Sequence, residues 1–369
     1  MPACDLSSVI DSRPIQGDLV NIFDGEFNKS GPGADCGRIT TKAITFRPPW
    51  FNTPLARRRP RKWQGMSFPY LSDLLKALFG VDLPLPLPMF GIMVAIAMII
   101  ASSVLKAELG RLYEAGKIGP ARTRRKSKGT PVTYVNVAPQ DVVPDLAGVV
   151  FISGVIGARM FHILEHTTQF LADPARMIFT RSGLSVFGGL IVGIIAGAIC
   201  VRRWRLPIRP LLDAVAPAIF LGYAIGRIGC QVSGDGDWGI AANMALKPGW
   251  LPTWLWAQTY AHNIYGEVIA APGVYPTPMY ETIMGLLCFA LLWRLRKHDF
   301  KAGWLFAVYL LLAGVERLLI EQIRVNPILD FAGVHATQAE MIAAGLIGLG
   351  VIGLVLLSRP RREVPAMLK

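Results

Sequence analysis

The residues from Met89 to Leu105 read MFGIMVAIAMIIASSVL and contain no charged side chain. A second uncharged stretch, LSVFGGLIVGIIAGAICV, runs from Leu184 to Val201. Roughly 17 to 25 apolar residues in an α-helix cross the hydrocarbon core of a bilayer. Because backbone polar groups in lipid need hydrogen bonds within their own segment, a helix is the structure that each stretch favours. Both stretches therefore predict membrane-spanning helices.

Five further segments are similar but carry one to three charges each. These segments are Val143–Leu164, Leu211–Val232, Met279–Trp293, Ala302–Glu321 and Gln338–Leu357. Over the whole chain of 369 residues, 52% are hydrophobic and 17% are charged, and the mean hydropathy is +0.42. The sequence therefore predicts an all-α, polytopic integral membrane protein of about seven transmembrane helices.

The net charge of +13 follows the predicted topology. The connections on one side of the seven segments, with the C-terminal tail, hold twenty Lys and Arg residues, whereas those on the other side hold four. Basic connections stay in the cytoplasm, so the C-terminus is predicted to be cytoplasmic and the protein to be multi-pass in a bacterial inner membrane. The charge is thereby explained without nucleic acid as a partner.

The N-terminal 65 residues fit this topology poorly, since they contain the basic run Arg57-Arg58-Arg59-Pro60-Arg61-Lys62 although seven spans place the N-terminus outside. Residues 1–65 are either a disordered tail or the product of a start assigned too early, and we favour the second interpretation, with Met66 as the first residue. Residues 66–88 form an amphipathic lead-in, residues 89–357 a membrane domain, and residues 358–369 a basic cytoplasmic tail.

The longest outer connection, residues 233–277, contains four of the nine tryptophans. Amphipathic rings favour the headgroup level, so this loop either lies along the outer membrane surface or forms a small folded subdomain with an aromatic core. The connection Lys117–Lys128 is predicted to be a flexible cytoplasmic loop. The five cysteines form no CxxC pair, which indicates neither a disulfide framework nor a zinc site; no metal or cofactor is predicted.

Three arginines, Arg159, Arg227 and Arg317, fall one to two helical turns from the predicted outer boundary on three different segments. Several polar residues lie at the same depth: Asp235, Tyr280, Glu281, Glu316, Glu321 and Arg324. One arginine near a helix end is explained by snorkelling to the interface. Three arginines with carboxylates beside them instead indicate a functional site within the bundle. Because a guanidinium fork suits a phosphate, the pattern predicts a phospholipid headgroup site.

Four segments, in order, resemble the motifs of the prolipoprotein diacylglyceryl transferase family. Phe187–Leu190 (FGGL) resembles HGGL, Gly226–Asp235 (GRIGCQVSGD) resembles GRxGNFxNGE, Tyr275–Glu281 (YPTPMYE) resembles HPxQLYE, and Glu316–Arg324 (ERLLIEQIR) resembles FRxxxExxR. The resemblance extends from about Pro88 to Leu357 and places all seven segments where the family has its spans.

The resemblance implies an enzyme that moves the diacylglyceryl group of phosphatidylglycerol to the lipobox cysteine of a preprolipoprotein, at the outer face of the inner membrane. Its partners would be phosphatidylglycerol, the signal peptides of preprolipoproteins and the bilayer. Arg227 and Arg317 would bind the lipid phosphate and stabilise the leaving group. The matched positions imply catalytic roles for Arg227, Arg317, Glu321 and Asp235, and substrate binding by Arg227, Arg317, Gly188, Gly189, Tyr280 and Glu281.

The sequence also departs from these motifs. Phe187 replaces the histidine of HGGL, Cys230 replaces the asparagine after GRxG, Tyr275 replaces the histidine of HPxQLYE, and Phe90 replaces a tyrosine early in the first span. Phenylalanine accepts no proton, so another group must serve as base. The candidates are Glu281, Glu321, Asp235 and the pair His162/His166; alternatively, the arginines alone lower the pKa of the substrate thiol.

Two other functions compete with the transferase. A phospholipid-binding or altered-substrate paralogue would keep Arg227 and Arg317 but lack the transfer activity. His162, Glu165 and His166 also form an HxxEH pattern, which in zinc peptidases holds a metal-bound water. An intramembrane metalloprotease leaves the four motifs unexplained, so it is the more remote alternative.

Overall fold

The structure, a computed structural model, describes residues 67–81, 87–125, 133–179, 185–326, 328–331 and 334–358. The predictions for residues 1–65 and for the tail beyond residue 358 lie outside these ranges. In chain order the helices are α1 (Leu71–Phe79), α2 (Met89–Glu114), α3 (Val143–Glu165), α4 (Thr167–Ala172), α5 (Pro174–Phe179), α6 (Val186–Arg203), α7 (Ile208–Ser233), α8 (Thr253–Trp256), α9 (Thr277–Leu295), α10 (Trp304–Glu321) and α11 (Gln338–Leu357). Each of the seven predicted membrane segments is therefore helical.

Two antiparallel hairpins connect helices of this set. Strands β1 (Ala121–Arg125) and β2 (Thr133–Val137) lie between α2 and α3, and strands β3 (Ile328–Phe331) and β4 (Val334–Thr337) lie between α10 and α11. The prediction that Lys117–Lys128 is a loop was wrong for Ala121–Arg125, which form strand β1. The basic side chains there gave no sign of a strand. Backbone hydrogen bonds between β1 and β2 determine the pairing, and they cannot be predicted from the pattern of charges.

Most of the described chain is helical, and five stretches are long and apolar enough to cross a membrane. By length and composition these are α2, the stretch Pro139–Glu165 that contains α3, α6, α7 and α11. Their outward faces expose large apolar side chains, for example Ile99, Ile152 and Ile194. Exposed apolar surface of this extent suits lipid contact rather than water. These features are those of a polytopic membrane protein.

The helices pack in pairs: α2 with α7, α3 with α6, α7 with α9, and α10 with α11. Helix α7 has the most buried residues and includes the fully buried Ala214 and Ala216. Small residues permit the close crossings. A Cβ added at Gly229 of α7 would lie 2.9 Å from Cβ of Met93 in α2, so the two helices meet at the position where the chain carries glycine.

Helices α7 and α10 are joined at their basic-loop ends by Asp213. Its carboxylate accepts hydrogen bonds from the backbone N–H groups of Gly303 (2.6 Å) and Phe306 (2.9 Å), which lie at the start of α10. A carboxylate at a helix N-terminus satisfies unpaired donors and complements the helix dipole. Asp213 therefore fixes the position of α10 against α7, the two helices that carry Arg317 and Arg227.

Residues 234–276 connect α7 to α9, make up most of the predicted outer connection and are folded around aromatic side chains. Tyr260 is 1% exposed, and its ring lies 5.1 Å from that of Trp238. A second group packs Tyr275 with Ala242 and Ala257, and isolated backbone bridges join Gln258 to Val274 and Gly239 to Arg324. These contacts fold the connection upon itself, and its bridge to Arg324 holds it against the end of α10.

Candidate functional site

One buried carboxylate, that of Glu281, contacts three arginines. Glu281 lies in the second turn of α9 and is 0% exposed. Its Oε2 atom lies 3.3 Å from Nε of Arg227, and its Oε1 atom lies 3.4 Å from Nη1 of Arg324 and 3.9 Å from Nη1 of Arg317. The arginines come from α7, the end of α10 and the turn after α10. Glu281 therefore draws positive charge from separate segments to one place.

Asp237 is a second carboxylate shared between arginines. It forms ion pairs with Arg227 and, at 2.6 Å, with Arg324. Although burial alone would raise the pKa of the Asp237 carboxyl, these two guanidinium groups hold that pKa below its ordinary value. The hydroxyl of Thr277 donates to the backbone carbonyl of Asp237, which ties this turn to the start of α9. We call Arg227, Asp237, Glu281, Arg317 and Arg324 the arginine cluster.

Arg317 is oriented by a carboxylate of its own helix. Its Nη2 atom donates to Glu321 at 2.7 Å. Oε1 of Glu321 accepts two further hydrogen bonds, from Asn326 (2.7 Å) and from the hydroxyl of Thr337 (2.6 Å), and Thr337 is the N-cap residue of α11. Glu321 thus joins α10 to α11 and holds the Arg317 side chain in position.

Tyr223 contacts the arginine cluster and joins it to Glu316. The hydroxyl of Tyr223 lies 3.1 Å from Oε1 of Glu281 and 2.9 Å from Oε1 of Glu316. The face of its ring also lies 5.1 Å from the guanidinium carbon of Arg227, within cation–π distance. Tyr223 therefore holds the Arg227 and Glu281 side chains of the cluster in position.

The arginine cluster retains guanidinium surface for a ligand. The side chain of Arg317 is 25% exposed, against 18% for Arg227 and 13% for Arg324. An arginine offers five N–H donors, and the ion pairs given above use Nη1 and Nε of Arg227 but not Nη2. An anion with several oxygens can therefore bind across Arg227 and Arg317 while Glu281 and Asp237 keep the rest of the cluster in place.

Asp235 lies beside the cluster without an arginine ion pair among the described contacts. One of its oxygens accepts the backbone N–H of Asp237 at 3.4 Å, and its carboxylate and the Sγ atom of Cys230 lie within 4.8 Å of each other. Burial raises the pKa of the Asp235 carboxyl above its ordinary value. Asp235 and Asp237 are therefore neighbouring carboxylates whose pKa values move in opposite directions.

The other predicted site residues lie outside the arginine cluster. The hydroxyl of Tyr280 donates to the carbonyl of Leu255 at 2.7 Å. Gly188 lies where α6 crosses α3, and a Cβ added there would overlap Gly157 and Phe161. Gly189 lies at the same crossing, with Gly154 of α3 3.2 Å from an added Cβ. The contacts of both glycines are those of helix packing. Arg159 of α3 donates to the carbonyl of Met177.

Two groups of described residues have donor atoms close enough for one metal ion. In each group the donor atoms all lie within 4.8 Å of one another. One group is His162, Glu165 and His166 at the end of α3, and the other is Cys230 and Asp235 with Asp237 of the arginine cluster. Glu165 also accepts a hydrogen bond from the hydroxyl of Ser185 at 2.8 Å. The side chains of the HxxEH pattern therefore lie close together. They lie at the end of α3, whereas the arginine cluster lies on α7, α9, α10 and the turns that follow α7 and α10.

Sequence reasoning missed two functional candidates. Asp237 lies two residues after the segment that matches GRxGNFxNGE and so fell outside that motif, although it pairs with Arg227. Tyr223 precedes Arg227 by four residues, the spacing that puts two side chains on one face of a helix. That spacing was a usable signal, whereas the contact of Asp237 depends on the turn after α7.

Comparisons with known proteins agree with the motifs. A family model described as prolipoprotein diacylglyceryl transferase matches residues 76–356. Three similar proteins are each named phosphatidylglycerol–prolipoprotein diacylglyceryl transferase. The Leptospira interrogans protein is 29% identical over 71% of this chain and 80% of its own length, the Corynebacterium glutamicum protein 30% over 61% and 72%, and the Parasynechococcus marenigrum protein 29% over 76% and 94%. The matched residues include every segment that contributes to the arginine cluster.

Proposed function

Because the chain belongs to the prolipoprotein diacylglyceryl transferase family, we propose that it transfers the diacylglyceryl group of phosphatidylglycerol to the cysteine thiol of a preprolipoprotein. The observation that carries the proposal is the convergence of Arg227, Arg317 and Arg324 on Glu281. These guanidinium groups supply the positive charge that a phosphate diester needs within a membrane bundle. The curated relatives supply the two substrates by their names.

The reaction exchanges one bond for another. The thiol sulfur attacks the carbon of the diacylated glycerol that carries the phosphate, a carbon–sulfur bond forms, and the bond from that carbon to the phosphate oxygen breaks. Glycerol phosphate leaves with the electron pair, and the thiol proton passes to a base. Negative charge therefore grows on the departing phosphate, where Arg227 and Arg317 stabilise it more strongly than in the bound lipid.

Among the three candidate carboxylates, Asp235 has the fewest hydrogen bonds and ion pairs to other side chains. Glu281 pairs with three arginines, and Glu321 accepts hydrogen bonds from Arg317, Asn326 and Thr337. A carboxylate with a raised pKa is closer to the range that suits a general base, which favours Asp235 over Asp237. We therefore assign the proton transfer to Asp235, and positioning roles to Glu281 and Glu321.

The arrangement in the membrane follows from charge and from the cluster. We infer seven spans, with α9 and α10 added to the five apolar stretches, and a cytoplasmic C-terminus. This topology places Arg227, Glu281 and Arg317 near the outer leaflet. A green fluorescent protein fused after Lys369 is expected to fluoresce, whereas alkaline phosphatase at that position is expected to be inactive; the reverse pattern contradicts the topology.

The transfer activity is tested by complementation and by assay of the purified protein. In a strain depleted of its own transferase, the chain is expected to restore growth and lipoprotein modification. Purified protein is expected to release glycerol phosphate from phosphatidylglycerol and to label a lipobox peptide on cysteine, but not a peptide with serine there. Failure in both assays by a well-folded protein that binds phosphatidylglycerol would instead support the paralogue.

The metalloprotease alternative is not retained. The family match and the arginine cluster explain the motifs without peptide hydrolysis, and the HxxEH residues lie on α3, which packs against α6 rather than α7. The site in which we place the reaction is formed by α7, α9, α10 and the turns that follow α7 and α10.

A further inference from the structure

An apolar cavity of about 290 Å³ is lined in part by residues that adjoin members of the arginine cluster in the chain. Its lining residues are Leu251, Leu255, Trp256, Tyr275, Tyr280 and Ile323. Two of them immediately precede residues of the cluster, since Tyr280 is followed by Glu281 and Ile323 by Arg324. The cavity and the cluster therefore share the backbone of α9 and of the turn after α10.

The polar atoms of the aromatic walls are already bound to backbone groups. The hydroxyl of Tyr280 donates to the carbonyl of Leu255, the hydroxyl of Tyr275 accepts the N–H of Asn243 at 3.1 Å, and the indole N–H of Trp256 donates to the carbonyl of Asn243 at 3.0 Å. Because these atoms have partners, the rings present carbon surface to the cavity. The cavity suits an apolar group that brings no hydrogen-bonding demand.

We propose that this cavity binds an apolar side chain of the acceptor polypeptide close to its reacting cysteine. The inference rests on the proposed function, in which the thiol must reach the arginine cluster. A signal peptide consists largely of apolar residues ahead of its processing site, so its cysteine has apolar side chains nearby. One such side chain in the cavity would fix the distance of the thiol from the lipid phosphate.

The size and place of the cavity favour a side chain over a lipid acyl chain. An apolar cavity of about 150 Å³ holds a molecule the size of benzene, so about 290 Å³ has room for one large apolar side chain. Four lining residues, Leu251, Leu255, Trp256 and Tyr275, come from the outer connection, whereas the acyl chains of a lipid bound at the cluster run along the helices into the bilayer.

One wall of the cavity is a departure of this chain from its family. Tyr275 occupies the position that matches the histidine of the HPxQLYE motif, and it is 9% exposed within the aromatic core of the outer connection. A tyrosine ring offers more apolar surface than an imidazole. We therefore assign to Tyr275 a part in the selectivity of this chain for the apolar side chain of its acceptor.

The test measures peptide binding without transfer. The full chain is placed in phosphatidylcholine nanodiscs, which lack phosphatidylglycerol, and a fluorescent lipobox peptide is titrated by anisotropy. Each residue within four positions of the cysteine is changed to serine in turn. With the wild-type protein, one apolar position is expected to lose about tenfold in affinity when changed to serine, the scale of a lost contact in an apolar pocket. Equal affinity for all peptides overturns the inference.

Two variants locate that contact. Leu255→Ser makes the wall polar and Leu251→Trp fills the space, and each is expected to raise the Kd of the parent peptide about tenfold and to abolish the preference at the sensitive position. Leu246→Ser, at an exposed position of the same outer connection, is the matched control and is expected to bind as the wild type does. Unchanged binding by both cavity variants, at wild-type melting temperature, overturns the inference.

The same variants separate the possible failures. In phosphatidylglycerol nanodiscs, the cavity variants are expected to raise the KM for peptide and to leave the KM for lipid unchanged; a changed KM for lipid alone would assign the cavity to an acyl chain and overturn the inference. A wild-type protein that binds peptide with the stated preference but transfers nothing supports the cavity and refutes the proposed transferase.

Discussion

Arg317→Gln is expected to lower the rate of diacylglyceryl transfer by about 100- to 1,000-fold, the cost of losing one preorganised group that stabilises the charge of a transition state. Arg317 is the most exposed arginine of the cluster and the one with the most room for a phosphate oxygen. Purified variants are assayed in nanodiscs with labelled phosphatidylglycerol and a lipobox peptide. Arg317→Lys retains the charge but not the planar fork, and is expected to recover part of the rate.

The matched control for Arg317→Gln is Arg294→Gln. Arg294 is exposed and lies near the C-terminal end of α9, away from Glu281. This variant removes the same charge far from the cluster and is expected to keep the wild-type rate. Full activity of Arg317→Gln, at unchanged melting temperature, contradicts the proposed site. Arg227→Gln is expected to lose as much activity, but it also leaves Asp237 and Glu281 each short of a partner, so its rate is compared only after its folding has been checked.

Asp235→Asn separates proton transfer from lipid binding in the same assay. Asparagine accepts no proton, so the rate is expected to fall while the KM for phosphatidylglycerol stays near the wild-type value. Raising the pH, which increases the thiolate fraction of the peptide, is expected to recover part of the rate. A variant with the wild-type rate and pH profile contradicts the assignment of Asp235 and returns the base to the other candidates.

The helices of this fold could be predicted because hydropathy reports them directly. The uncharged run Met89–Leu105 lies within α2, and the second run lies within α6 from Val186 to Val201. The other five predicted segments are also helical. The hairpin β1–β2 could not be predicted from Lys117–Lys128, because its strand carries basic residues and is defined by backbone pairing. Hydropathy predicts which segments lie in lipid, but it gives no information on the pairing of strands outside the membrane.

The arginine cluster could be predicted in part, because distance along a helix converts to depth in the membrane. That argument placed Arg227, Glu281 and Arg317 at one level, and the structure joins them through ion pairs. Depth carries no information on rotation about the helix axis, so it could not predict which side chains at that level contact one another; Arg159, for example, donates to the carbonyl of Met177. Asp237 was missed because the turn after α7, not a helix, aims it at Arg227.

Glu281→Ala is expected to destabilise the protein by about 3 to 5 kcal/mol, the cost of breaking a buried ion pair from one side. Glu281 is fully buried and lies within 4 Å of three guanidinium groups, which would be left close together with less negative charge between them. Unfolding in mixed detergent micelles, followed by circular dichroism, measures the change. Glu114→Ala, at the exposed end of α2, is the control and is expected to stay within about 0.5 kcal/mol of the wild type.

A double variant distinguishes orphaned charge from lost packing as the cause of this destabilisation. If the cost of Glu281→Ala comes from guanidinium groups without a counter-charge, removing Arg324 as well should cost less than the two single changes added together, because contacting partners are not additive. Arg324→Ala alone leaves Asp237 with Arg227, so the single change is tolerable enough to measure. Strict additivity would contradict the electrostatic explanation, since a cavity left by the Glu281 side chain is indifferent to the charge on Arg324. Such a coupling would support the proposal that the Glu281 carboxylate holds the three arginines in position.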